Sequence, residues 1–542
     1  MTRLDARSWL AVTLAGGLAA TCLSVVVHRS VYAAEARGAK AAAKPTIDLE
    51  EKGAFPLPAH LESADIAAGK HDFEHLFKSG DALFHTAFNG LDGVGVAALA
   101  NGSKINRFTV TPPGGNPLAI SAQSCGGCHR SPFGASAGPA QTQIAFDNDQ
   151  DGKAPFNVRS TTSLFGDGIL QLLAQEITED LLREREAAAA EAKKAPGKAV
   201  ERKLQSKGVS YGTLIATADA TGQVKFDGSK LEGVDPDLVV RPMGWKGGIP
   251  TVRLNTMAPA VAAMGMQSEE LVWRIPGGDQ LRDLDGDGVV RELSVGDITA
   301  MTVYTAAQET PQSFARLAEL GYVQAPTKEQ SAQIERGRTA FQAARCATCH
   351  LPEMRLQNTV FEEPTARGGG NYHDKLLASK DPGYSPQHPV RFDLLEDAQE
   401  PRVEADPKGG AIVRLYGDLK RHRMGRHLAD PGGPTPPFVA EFAPLQIDGT
   451  VVLIAPDVFM TPELWGVGNT APYLHDGRAG SLREAVMLHG EDSPVAAGDA
   501  GRSEAQESRD AFAALPAAQQ TDLLAFLYSL RTFSPEGPAQ TE

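Results

Sequence analysis

Cysteine is scarce in this chain, five in 542 residues, and one of them, Cys22, sits in an apolar N-terminal run. The remaining four are Cys125, Cys128, Cys346 and Cys349. An even count outside the cytoplasm would ordinarily suggest disulfides. Here all four fall into two CxxCH strings, CGGCH at 125–129 and CATCH at 346–350. Positive charge is also short: 52 Lys and Arg against 67 Asp and Glu leave a formal net charge of -15. That argues against nucleic acid, which needs a basic face, and in favour of a basic protein partner or a neutral substrate.

The rest of the composition is ordinary, 42% hydrophobic and 22% charged, so most of the length should fold. At 542 residues there is room for two or three domains. The N-terminus places Arg3 and Arg7 before an apolar run from Trp9 to Val27, then small residues at Val31, Ala33 and Ala34. This reads as an export signal cleaved near Ala33, or as a retained anchor. Both readings put the remainder outside the cytoplasm, in the periplasm, with a membrane partner only if residues 9–27 stay attached.

A similar helical phrase precedes each CxxCH. Phe77, Gly80 and Phe84 have the spacing of Ile334, Gly337 and Phe341. The repeat predicts one small module used twice, a helix followed by a loop. Between the copies, the Ala/Lys/Glu tract Glu184 to Lys203, broken by Pro196 and Gly197, reads as an exposed insertion or linker, and the alternating text after it as a small β-hairpin. Leu523, Leu524, Leu527 and Leu530 mark the apolar face of a late helix. The expected fold is mainly α: an N-terminal domain at 34–325 with an insertion near 184–240, and a C-terminal domain at 326–542, joined by long loops.

CxxCH spacing has a mechanical reading. Two cysteines form thioethers to a porphyrin edge, and the histidine turns under the ring to bind iron. Zinc also takes CxxC pairs, but a shared zinc site leaves both histidines unexplained, and a redox dithiol needs a βαβ context that is missing. Two motifs using every remaining cysteine predict two covalently bound haem c groups, on Cys125, Cys128 and His129, and on Cys346, Cys349 and His350. The second axial position of each iron then decides between electron transfer and reaction with an oxidant.

In SLREAVMLHGEDS, Ser481 and Glu484 form a capping pattern and Gly490 a stop, so residues 482–489 are predicted as a short helix. Leu482, Ala485, Val486 and His489 share one face, which turns His489 inward. From pattern alone, His489 reads equally as an iron ligand or as a helix-end histidine.

These motifs together resemble the di-haem cytochrome c peroxidase superfamily, which includes MauG-type enzymes. GDALF, SCGGCHRSPFG, PDLVVRPMGWKGG, DLDGDGVVRELSVGDITA, LYGDLKRHRMGRHLAD and TPELWGVGNTAPYLHDGR resemble its di-haem oxidoreductase branch, from about Phe77 to Phe533. The resemblance implies that the second haem is ligated by His350 and by His489, fourteen residues after His475 of the PYxHDG motif. For the first haem no histidine lies between His129 and His350, so the resemblance implies an open or water-bound iron, unless Met264, Met266, Tyr211 or an upstream histidine (His71, His75, His85) closes it.

The resemblance also implies acid–base residues on the helix after the first haem, here Gln171, Gln175 and Glu176. It implies peroxide or dioxygen as oxidant and a small redox protein, a cytochrome or cupredoxin, as electron partner. The expected activity is that of a peroxidase or peroxide-dependent oxidase, with an oxygenase or a simple electron carrier as alternatives.

Smaller features remain. Asp283, Asp285 and Asp287, and Asp147, Asp149 and Asp151, have calcium-loop spacing with Gly288 and Gly152 at the turns, but Ser294 and Val158 stand where a Glu ligand belongs. KRHRMGRH, with His422, Met424 and His427, reads as a cationic surface turn, Met424 being a rival ligand for the second haem. Trp245 and Trp465 read as core residues or as relays between the haems.

Overall fold

The computed structural model describes residues 59–94, 123–129, 143–146, 157–274, 283, 288–368, 379–437, 445–492 and 501–532. The apolar run Trp9–Val27, the triplet Asp147, Asp149 and Asp151, and Asp285 and Asp287 lie outside them. Of the calcium-spaced acids only Asp283 is described; its carboxylate accepts from the Gly288 amide at 2.9 Å.

The repeated phrase forms the repeated helix. Phe73–His85 is capped by Asp72, which accepts from His75 N, and Lys328–Ala343 by a Thr327/Gln330 capping box. The two glycines do the same thing in each copy. Gly80 lies against the Ala300 carbonyl and Tyr304 of the helix Val295–Ala306, and Gly337 against the Asp522 carbonyl and Phe526 of the helix Ala517–Tyr528. A methyl group at either position would overlap those carbonyls, so glycine is what lets the two helices cross closely.

The mainly α expectation does not hold. Among the described residues 36% are helix and 18% strand, a mixed fold with seven small sheets. Most strands are two to four residues long and clip the long loops together. Examples are Arg421–Arg423 with Val458–Met460, Val360–Glu363 with Val390–Asp393, and Gln312–Ser313 with Leu530–Arg531. Pieces this short carry no readable alternation, which is why the sequence reads them as loop.

The Glu184–Lys203 tract is not a linker either. The helix Asp167–Lys194 runs through most of it, as its Ala, Glu, Lys and Arg residues favour, and ends before Pro196. Ala188 and Ala192 are fully buried against an antiparallel sheet of three strands, Val200–Ser206, Val209–Ala218 and Val224–Leu231, where a two-strand hairpin was expected. Lys207 (φ 48°) and Gly208 (φ 85°) form the tight turn between the first two strands.

The largest core joins Ile169, Leu173, Ile177 and Leu181 to Ile298, Met301 and Val303, and also takes in Met354, Phe361, Phe392 and Leu415 from the later half. Met264 and Met266 are buried in this core. A second core holds Phe341, Leu482, Phe512, Leu523, Phe526 and Leu527. Arg253 is buried where the halves meet. It donates to Thr299 Oγ1 (3.0 Å), Val295 O (3.1 Å), Glu363 Oε1 (3.2 Å) and Glu270, and it lies 4.1 Å from the Tyr384 ring centroid. Tyr384 donates its hydroxyl to Glu363. No helix among the described residues is long and apolar enough to cross a membrane.

Candidate functional site

Each CxxCH follows its helix as one tight turn. In the first, the Ser124 hydroxyl accepts from Gly127 N at 3.0 Å, and His129 N donates back to Cys125 O at 2.9 Å. In the second, Arg345 takes a left-handed conformation (φ 62°), and His350 N donates to Cys346 O at 3.0 Å. The four cysteines are not disulfide-bonded. Burial, joined by the neighbouring Cys128, pushes the Cys125 thiol up to about 12, and burial does the same to Cys346. Neutral, buried thiols of this kind do not suit a redox dithiol, which works as thiolate.

A zinc site shared by the two pairs is also absent. Among the described residues the one His/Cys/Asp/Glu group close enough to share an ion is Cys349, Asp418 and His422.

The second motif faces another histidine. The rings of His350 and His489 stand 6.4 Å apart between centroids. Imidazole nitrogens bound at about 2 Å to a common metal would set the centroids roughly 6 Å apart. Both rings are anchored at Nδ1, His350 to the Tyr416 carbonyl at 2.9 Å and His489 to the Ala485 carbonyl at 2.8 Å. That leaves both Nε2 atoms free, the arrangement in which a carbonyl fixes the tautomer of a metal-binding histidine.

Burial keeps both imidazoles neutral, His350 down to about 4 with the nearby His489 adding to the effect, and His489 below its ordinary value. The helix before His489 is Leu482–Met487, shorter than expected, so His489 stands just past its end. Ser481 caps it by accepting from Glu484 N, while the Glu484 carboxylate reaches back to Gly480 N at 2.8 Å and not to Ser481.

Among the described residues His129 has no such opposite number. Its ring pairs with Phe84 (6.0 Å), and its buried Nδ1 has no hydrogen-bond partner. Burial lowers it to about 4 against a weaker opposing contact from the Thr162 backbone. A buried, neutral imidazole with an unsatisfied nitrogen fits a ligand role better than a packing role. His71 and His75 stack on each other at 4.6 Å, and His85 ties its Nδ1 to Asp81 at 2.9 Å.

A cavity of about 290 Å³ receives Cys346, Cys349, His350 and His489, and extends past Trp465, Leu170, Asp167 and Glu463 to Ser160–Ser163, Trp245 and His475. Both tryptophans therefore border it; Trp465 donates its indole N–H to Arg414 O at 3.0 Å and Trp245 to Ser160 O at 2.8 Å.

KRHRMGRH is not a surface turn. His422 lies on the strand Arg421–Arg423 with its ring in the cavity wall. Its Nε2 meets Asp418 Oδ2 at 2.8 Å, its Nδ1 meets Glu504 Oε2 at 2.7 Å, and Cys349 Sγ is 4.0 Å away. Burial works to lower its basicity, but these partners outweigh burial and push it up to about 12, which favours the protonated ring. Met424 borders the same cavity, while His427 is turned to the Leu488 carbonyl at 2.7 Å.

His475 of the PYLHDGR motif is a joint. Its carbonyl accepts from Ser160 N at 2.7 Å, its ring stacks on Phe459 at 4.3 Å, and Asp430, which binds Arg159 at 2.6 Å and Lys246 at 3.1 Å, lies 3.8 Å from Nε2.

Gln171, Gln175 and Glu176 do not border this cavity. Gln171 accepts from Val252 N at 2.8 Å, and Gln175 donates to Thr365 at 3.2 Å. Glu176 takes the Lys207 ammonium at 2.5 Å and the amides of Gln357 and Asn358 at 2.9 and 2.8 Å. Tyr211 likewise donates to Asp418 O at 3.2 Å. Glu176→Gln is therefore expected to lower stability by about 1–3 kcal/mol in a denaturant melt, since it loosens a buried charged pair.

Residues 413–530 match the family described as "Di-haem oxidoreductase, putative peroxidase". That segment is similar to the di-haem oxidoreductases. It contains Tyr416, Asp418, His422, Trp465, His475 and His489, and lies downstream of both CxxCH motifs. The superfamily resemblance is thus supported over that segment. No curated protein matches the chain. Among solved structures, a "MauG-like protein associated with microbial copper homeostasis" is 18% identical, covering 59% of this chain and 79% of its own, with a TM-score of 0.28.

Proposed function

We propose that the chain is an exported c-type di-haem oxidoreductase that uses peroxide as oxidant at the first haem and takes electrons through the second from a small redox protein. The observation that carries this reading is the asymmetry of the two motifs. His350 faces His489 with both Nε2 atoms free, whereas among the described residues no second histidine ring pairs with His129. Two histidine ligands favour electron transfer, and a single ligand leaves a face for an oxidant.

Covalently bound haems would supply the iron redox chemistry. The chain's own part is to hold it: Cys125 and Cys128, and Cys346 and Cys349, would anchor the porphyrins, and the Tyr416 and Ala485 carbonyls keep His350 and His489 in the binding tautomer. The His422 ring stands at the Cys349 edge of the second site, and Trp465 lies between that site and the Gly166 turn. Because Glu176, Gln171 and Gln175 are engaged elsewhere, they are given no proton-transfer role.

The test is spectroscopic and kinetic. The resting protein should hold two haems per chain, one low-spin and one high-spin, with cyanide binding to the second kind alone. It should then oxidise a reduced cytochrome with peroxide. Two low-spin haems that bind no cyanide would reduce the protein to an electron carrier, and steady turnover on dioxygen without peroxide would make it an oxygenase.

A further inference from the structure

The cavity wall carries two acids that neither motif uses. Asp167 is the first residue of the helix Asp167–Lys194 and is buried; Glu463 lies in the segment whose Leu464 N donates to Leu415 O at 3.0 Å. Both border the cavity that receives His350 and His489. Each also sits close to what holds a candidate iron ligand. Asp167 is five positions after Thr162, whose backbone acts on the His129 ring, and Glu463 packs at Gly417, next to the Tyr416 carbonyl that takes His350 Nδ1. The Trp465 ring against Gly166 brings these two segments together.

Among the described residues the acids lack a counter-charge. Asp167 accepts from the Asn255 amide at 3.3 Å and otherwise feels the Glu463 carboxylate; on Glu463 the acting group is its own backbone. The cations of the adjoining elements are engaged elsewhere. Arg253, on the helix of Asn255, binds Glu270 and Glu363, and Arg414, whose carbonyl takes the Trp465 indole, binds Glu353 and Glu404. Burial raises both acids, and for Asp167 the neighbouring Glu463 adds to it. Ser160 Oγ, buried and unpaired, belongs to the same wall and calls for a hydrogen-bonding occupant. At the outer rim of the cavity the exposed Glu504 opens a path to water.

We propose that Asp167 and Glu463 form a proton store that balances charge at the second haem, an inference that rests on the di-haem reading above. Each electron accepted there from an external one-electron donor is matched by one proton taken from water, which turns one carboxylate of the pair into the acid. Oxidation releases that electron and that proton together. The physical reason is that an uncompensated charge in a low-dielectric cavity is costly, and a proton moving within the same cavity removes the cost.

The experiment uses the full-length, haem-loaded protein, titrated with dithionite and mediators across neutral pH, with the haem count per chain measured first. In the wild type the potential of the low-spin haem should fall by about 59 mV per pH unit, the value for one proton per electron. In the Asp167→Asn/Glu463→Gln double variant the slope should flatten. Reduced-minus-oxidised infrared spectra of the wild type should show a protonated-carboxyl band gained on reduction and absent from the variant.

Two haems with an unchanged slope in the variant overturn the proton store alone. If the double variant does not fold, a wild-type infrared spectrum without the carboxyl band overturns it. A chain without a second haem overturns both the store and the di-haem reading.

Discussion

His489→Ala should convert one of the two haems, and only one, from six-coordinate low-spin to high-spin, while both stay covalently attached through their cysteines. The geometry sets this outcome. His489 contributes a single free Nε2 opposite His350, and its own ring is held by one carbonyl, Ala485 O at 2.8 Å. Alanine removes the ligand without disturbing Cys346, Cys349 or the Tyr416 carbonyl that fixes His350. Peroxide turnover with an external donor should drop at least roughly 10–100-fold, the range seen when the partners that orient metal ligands are lost. Absorption and paramagnetic resonance spectra check the first point, and steady-state kinetics the second. An unchanged low-spin signal would remove His489 from the site, and Met424, in the same cavity wall, would be the next residue to replace.

Arg253→Met should cost about 3–5 kcal/mol in a denaturant melt, the range for removing one partner of a buried charged cluster. The guanidinium is the cluster's one cation among Glu270, Glu363 and Tyr384, and it also serves Thr299 and the Val295 carbonyl. Burial already holds the Glu363 acid above its ordinary value with the arginine in place. Without it, Glu363 would lose the charge that favours its carboxylate and would favour the neutral acid still more. A carboxyl whose folded pKa lies above its unfolded value contributes stability that is present at low pH and is lost as pH rises through the folded value. The variant's deficit should therefore be small below about pH 4, where the Glu363 acid is largely protonated in either state, and should grow towards neutral pH. A deficit that shrinks as pH rises would contradict this.

What the sequence carries, and what it does not, follows from how local each signal is. The two CxxCH turns and the two helices were legible because each is defined by a short local stretch, including the glycines that allow close helix crossing. His489 was legible only as one of two readings until the resemblance placed it fourteen residues after His475. The clamp on His422 was not legible. Its strand is three residues long, too short to show a period, and the Glu504 partner lies far along the chain. Glu176 misled for a related reason. A carboxylate on a buried helix face looks like a reactive group, and only the tertiary fold reveals that Lys207 and two loop amides occupy it.

The joint between Ser160 and His475 bears on how the molecule is made. Ser160 N and Arg159 belong to the stretch just after the first CxxCH, yet their partners, the His475 carbonyl and Asp430, are synthesised some three hundred residues later. Contacts of such separation form late, because the intervening loop must close first. The strand edge at Ser160 therefore stays uncovered until the later half has docked on it.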